Sequence, residues 1–454
     1  MTALSIEIPL VRVAEKSSVS FAVRILQVFS VALMVLPGYY VVNAVGATGS
    51  AAALVSYFMF AVWLAATLFG HHNPFAYHYK VRICLAWLWI VSLSSYLLMN
   101  RTLLSSLQLA AADRWLMQLV GISGIVFMAA EGLHTLEDIR RVLRALTWGG
   151  AFCGVVAALQ FKPGINLANY LKLPGFALNP SISSTAAIVQ RGGDNRVPGT
   201  ATDPIELGVV AGMLLVLAVY LMMHDTSRPK WSRLIPILCI AVAVVASVSR
   251  SGVLAAAIGS GVLIATLPPV RRLKGLVAIP VALAAAFVGS QGLLGIFRDY
   301  FLAGNSDPSI KHRTNNYPYV EELVRQAPWL GQGGGTYIPV TLASSVHVLD
   351  NQYLTTAIEL GLLGTAALFF YLSWPAVVAL VARQHTTNPE LRDLCAALAG
   401  ADLAAMVCAA TFDGFSFPMF FNLQPLIVGL IGAAWMIAEK EKGNNIMAHE
   451  SGGN

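Results

Sequence analysis

Apolar runs close to bilayer length recur along the whole of this 454-residue chain, and they limit what it can become. Inside hydrocarbon every backbone polar group must be satisfied within its own segment, so such runs fold as transmembrane helices. The composition agrees: 57% of residues are hydrophobic and 11% charged, against about 25% charged in an average soluble protein. Spans are expected at 20–37, 51–70, 82–100, 114–131, 143–161, 204–223, 234–249, 251–268, 276–293, 351–382, 394–411 and 421–438. The expected fold is an all-α polytopic membrane protein of about twelve transmembrane helices, with both termini on one side. The first residues are polar, carry Arg12 and Lys16, and show no cleavage pattern.

Charge sets the orientation. Arg140, Arg141 and Arg144, then Arg228, Lys230 and Arg233, then Arg271, Arg272 and Lys274, fall in short loops on one side with Arg383, Arg392, Lys440 and Lys442. The positive-inside rule makes that side cytoplasmic. The organisation expected is N-terminal helices over 1–161, a first periplasmic loop over 162–203 and central helices over 204–293. A large periplasmic loop over 294–350, C-terminal helices over 351–438 and a disordered cytoplasmic tail over 439–454 complete it. Net charge is +6, with the basic residues scattered over loops, which fits anionic head groups and phosphates rather than nucleic acid. The five cysteines have no metal or disulfide spacing and read as small core residues.

The long outer loops still carry arginines, which suggests an anion held there. Arg196 precedes Pro198-Gly199-Thr200, and Pro204 suits the first turn of the next helix. An arginine there offers a planar fork to phosphate, or anchors the interface. Arg250, in Ser249-Arg250-Ser251-Gly252, lies between two apolar runs and needs a carboxylate or an anion as partner. His312-Arg313 heads a helix expected over 313–327, with Tyr317, Val320 and Val324 on one stripe and Pro328 ending it. Gly331 and Gly333 to Gly335 read as a hinge. Asp350 stands before the tenth span, where it is either a helix N-cap or an acid–base group. His347 has a pKa suited to base work or is simply solvated. Glu359, two turns further on, would pair with an outer arginine. Walker, dinucleotide, metal-binding and Asp-x-Asp patterns are missing from the sequence, so neither nucleotide hydrolysis nor a metal or other cofactor is expected.

Together these segments resemble the O-antigen ligase and polymerase superfamily of bacterial envelope glycosyltransferases. The resemblance covers about 196–365: Arg196 with Gly199-Thr200 and Pro204, Ser249 to Gly252, Arg313, Pro328-Trp329-Leu330-Gly331-Gln332-Gly333, Asp350 to Leu354, and Glu359 to Gly364. It implies metal-independent, inverting transfer from an undecaprenyl-pyrophosphate-linked glycan on the periplasmic face of the inner membrane. A flippase and a chain-length regulator are the partners it suggests. In this reading Arg196, Arg250 and Arg313 hold pyrophosphate, and Asp350 or His347 is the base. Thr200, Asn351, Tyr353 and Glu359 contact substrate. The ligase pattern has a histidine before the asparagine, where this chain has Asp350, which favours a polymerase over a ligase. A lipid-linked-substrate transporter is the reading from another class, and a noncatalytic scaffold is a third. The visible charges gather at the outer surface, and no repeat appears, which speaks against transport.

Overall fold

The computed structural model describes residues 20–75, 79–161, 164–179, 189–191, 194–273, 316–338, 341–342, 345–346 and 348–451. The expected span 276–293, Arg313 and His347 lie outside the described residues. In chain order the helices are α1 (Phe21–Val35), α2 (Ala51–Leu68), α3 (Arg82–Leu98), α4 (Ser106–Gly132), α5 (Leu136–Phe161), α6 (Pro204–His224), α7 (Lys230–Ala246) and α8 (Arg250–Thr266). Then follow α9 (Tyr317–Gln326), α10 (Gln352–Glu359), α11 (Gly361–His385), α12 (Pro389–Cys408) and α13 (Pro418–Ser451). Small two-stranded pairs decorate the connections. Among them are β1 (Tyr40–Val41) with β2 (Ala177–Leu178), and β3 (Val189–Arg191) with β4 (Asp194–Arg196).

Among the described residues, six helices are long and apolar enough to cross a membrane: α2, α4, α5, α6, α11 and the part of α13 over Pro418–Gly443. The helices α1, α3 and α8 are apolar but shorter. The expected count of about twelve spans therefore goes beyond the six that meet this measure. Two expectations change. The tenth span is not continuous: α10 ends at Glu359, and the long apolar helix begins at Gly361, which has φ +69°. The C-terminal tail is not irregular, because α13 runs through the polar stretch to Ser451.

Small residues let the central helices approach. A Cβ on Gly252 of α8 would stand 2.7 Å from the Gly208 Cα of α6. Without side chains there, the two backbones pack directly, as in membrane interfaces built on small residues. The cysteines are free thiols. Four of them are buried, in agreement with the core reading.

The arginine-rich end is cross-linked as well as charged. Arg140 bonds Glu137 at 2.5 Å and also Glu390, Arg144 bonds Asp225 at 2.6 Å, and His224 meets Asp393 at 2.9 Å. These pairs join α5, α6 and α12. Sequence shows such charges as an orientation signal and hides their partners.

Candidate active site

At the opposite end of the bundle, three connections meet. The β3–β4 hairpin sets Arg196 opposite Val189 at its end. Its Nε donates to the Ser247 carbonyl at 3.3 Å, and the Val197 amide reaches Ala246 at 3.5 Å. Arg196 thus rests on the last turn of α7, three residues before α8 begins. The link between those helices is sharp. Buried Val248 has φ 45°, a conformation that is strained for a β-branched residue. Ser249 then caps α8 by accepting from the Gly252 amide, and Arg250 occupies the first helical position. Ser251 Oγ lies 2.8 Å from Thr411 Oγ1 in the α12–α13 turn. The same turn receives α10: the Gln352 amide donates to Ala409 O at 2.8 Å, and Phe415 N donates to Gln352 Oε1 at 2.6 Å.

Electrostatics shows how close these groups are. Burial pushes the Asp203 carboxyl above its ordinary range, the Ile205 amide and Arg196 pull it down, and Asp350 raises it. Asp350 also raises Asp413, whose carboxyl burial moves to about 6 against bonds from Ser416 and Thr355. Arg196, Asp203, Asp350 and Asp413 therefore share one electrostatic neighbourhood.

Asp350 is not the N-cap. Asn351 caps α10, its Oδ1 accepting from Tyr353 N at 3.0 Å and Leu354 N at 3.3 Å. The capping alternative for Asp350 falls.

The segment 328–333 is a staple rather than a hinge. Gln332 N donates to Ile358 O at 3.1 Å, Gly333 N to Glu359 O at 2.8 Å and Leu362 N to Pro328 O at 2.8 Å. The carbonyls and amides freed where α10 gives way to α11 find partners here. Gly331 (φ +65°) and Gly361 lie so near the opposing backbone that a Cβ on either would overlap it. α9 backs this unit through Val320, packed with Leu349 and Ile358, and Val324 joins the same cluster. Tyr317, expected on that stripe, is exposed.

Glu359 ends α10, outside the candidate span Gly361–His385. Its carboxyl accepts from Tyr337 N at 3.2 Å, and among the described residues no ion pair to an arginine is found. Among the described residues its carboxyl is met by backbone amides, those of Tyr337 and Gly335, with Asp413 as a neighbouring acid, while Arg313 lies outside them. Burial raises Glu359 to about 8, the Gly335 amide opposes this, and Asp413 adds to it. Both acids line a cavity of about 400 Å³ together with Arg114, Trp115, Tyr337, Gln352 and Phe415. Asp413 Oδ1 is buried with no partner among the described residues. A cavity with rings for sugar faces, hydrogen-bonding edges and an unsatisfied acceptor suits a hydroxylated ligand.

Other expected contacts are internal. Thr200 is fully buried, and its hydroxyl donates to Met34 O at 2.7 Å. Tyr353 OH donates to Met406 O at 2.7 Å. Both hydroxyls hold the scaffold. Sequence reasoning missed Arg114, inside an expected span, and Asp413. The isolated acid of Thr411-Phe412-Asp413-Gly414, between two apolar runs, was the available signal.

Residues 235–369 match the family model described as O-Antigen ligase. The match supports the O-antigen ligase and polymerase superfamily, and with it a membrane role in polysaccharide biosynthesis. It includes Arg250, the staple, Asp350 and Glu359, while Arg196 and Asp413 flank it. No curated protein matches the chain.

Proposed function

We propose that the protein polymerises undecaprenyl-pyrophosphate-linked oligosaccharide units on the periplasmic face of the bacterial inner membrane, within a layout of about twelve spans. The observation that supports this reading is that Arg196 and Asp350 both act on Asp203, and Asp350 acts on Asp413, a cavity-lining acid whose Oδ1 has no partner among the described residues; Arg250 opens α8 three residues after Ser247, which Arg196 bonds. Arg196 and Arg250 hold the pyrophosphate and stabilise the charge that grows on it as the C1–oxygen bond breaks. Arg313 completes the clamp. The acceptor sugar sits in the cavity and its hydroxyl oxygen bonds to C1 from the opposite face, inverting the centre. The hydroxyl proton passes to Asp350, with His347 assisting. Asn351 fixes the helix that carries Asp350. Glu359, protonated below about pH 8, donates to an acceptor oxygen. Thr200 and Tyr353 support this arrangement from behind.

Purified protein supplied with lipid-linked repeat units tests the reading. A ladder of lengthened glycans that Arg250→Ala abolishes supports polymerisation. Transfer of a single glycan to lipid A-core instead marks a ligase. Translocation of units with no lengthening would sink both.

A further inference from the structure

The arginine-rich end holds a second cavity, of about 540 Å³, which the proposed chemistry does not use. It opens between the N-terminal half of α5, the first turns of α7 and the end of α6. Its walls carry Arg141, Arg144, Arg228 and Arg233 against one carboxylate, Asp225.

The partners of these cations divide them into two sets. Arg144 is matched by Asp225 at 2.6 Å and Glu137 at 3.2 Å, and Arg141 by Glu137 at 3.2 Å. Arg228 is exposed and has no carboxylate partner among the described residues. Arg233 donates from one terminal nitrogen to Met222 O at 2.9 Å. Its Nε is buried with no partner among the described residues. A buried N–H is rarely left unmade, because it has lost water without replacement. Pro236, inside α7, cannot return an amide to the Ser232 carbonyl on the same wall. The cavity therefore offers surplus positive charge and an unmet donor beside a carbonyl that Pro236 deprives of its usual helical amide.

We infer that this cavity binds the phosphodiester head group of an anionic glycerolipid. Phosphate oxygens meet Arg228 and Arg233, and a glycerol hydroxyl donates to the Ser232 carbonyl. A lipid and a free phosphate present the same oxygens, and the surroundings favour the lipid. Trp148, on the cavity wall, is 44% exposed, and Trp231, beside Ser232, is 65% exposed. Indole rings of this kind settle at the head-group level. From Arg141 to Trp148 the wall descends about 10 Å along α5, the depth of head group and glycerol. The positive-inside bias places this end at the cytoplasmic leaflet, where basic pockets between spans hold acidic head groups.

The test uses the full chain in neutral detergent, with its thermal transition followed during titration. Three probes are compared: phosphatidylglycerol, phosphatidylcholine and inorganic phosphate. Phosphatidylglycerol should raise the transition saturably, and native mass spectrometry should show the bound lipid. The Arg228→Gln, Arg233→Gln double variant should bind it roughly tenfold or more weakly. Arg228→Gln alone changes an exposed side chain and should cost roughly fivefold, which keeps the test open if the double variant folds poorly. An equal response to phosphatidylcholine, an equal response to inorganic phosphate alone, or full binding by Arg228→Gln would each overturn the assignment. None of these readouts depends on glycosyl transfer.

Discussion

The amide of Gly333 donates to the carbonyl of Glu359 at 2.8 Å, so a glycine-rich loop completes the end of the helix that carries the candidate site. Gly331, two residues earlier, faces the same backbone with φ +65°, where a Cβ would overlap it. Gly331→Ala is expected to cost roughly 2–4 kcal/mol through backbone strain and overlap. A lowered thermal transition together with lost activity is the expected result. A variant as stable as the parent would contradict the staple.

Arg196→Ala and Arg250→Ala should each lower polymer formation by roughly a hundredfold or more, the scale of losing a charge-stabilising donor. Lysine at either position should restore little, because an ammonium is a point charge without the planar fork. Both variants should insert and express normally. Rates with lipid-linked donor decide the matter, and full activity in either lysine variant would remove the bidentate contact from the scheme.

Asn351 and Asp350 should separate cleanly by experiment. Asn351→Ala removes a cap and should cost about 1 kcal/mol, while Asn351→Asp keeps it. Asp350→Asn should leave the thermal transition in place and lower turnover roughly a hundredfold. The reverse pattern would return the cap to Asp350.

Glu359 gives a pH signature. Unfolded, its carboxyl titrates near 4.3; folded, at about 8. Between these values the folded protein keeps a proton that the unfolded chain has released. Its contribution to stability is complete below about pH 4.3 and is lost as pH rises through 8. Glu359→Gln should flatten that slope relative to the parent. Activity should fall above about pH 8 in the parent as the donor is lost. It should persist there in Glu359→Gln, whose amide still donates. An inactive glutamine variant would make Glu359 a base instead.

Sequence periodicity revealed the helices because hydrocarbon leaves few alternatives. It located Pro204 at the first turn of α6, and it divided the two apolar runs at Arg250, which is the first residue of α8. The break at Gly361 stayed hidden, since the apolar run continues across it and the staple comes from about 30 residues away in sequence. Asp413 was hidden for a related reason: its importance comes from Asp350 and Glu359, which tertiary packing alone brings near. Asp350 was misplaced as a possible cap because two adjacent residues, Asp and Asn, satisfy the same local rule.

Since Asn351 does the work of closing the helix, the preceding position is a socket on a fixed frame. Its side chain can be exchanged without touching the cap that Asn351 supplies. Under the proposed function, exchanging that one side chain alters the proton chemistry of the site while the frame of the helix behind it stays in place.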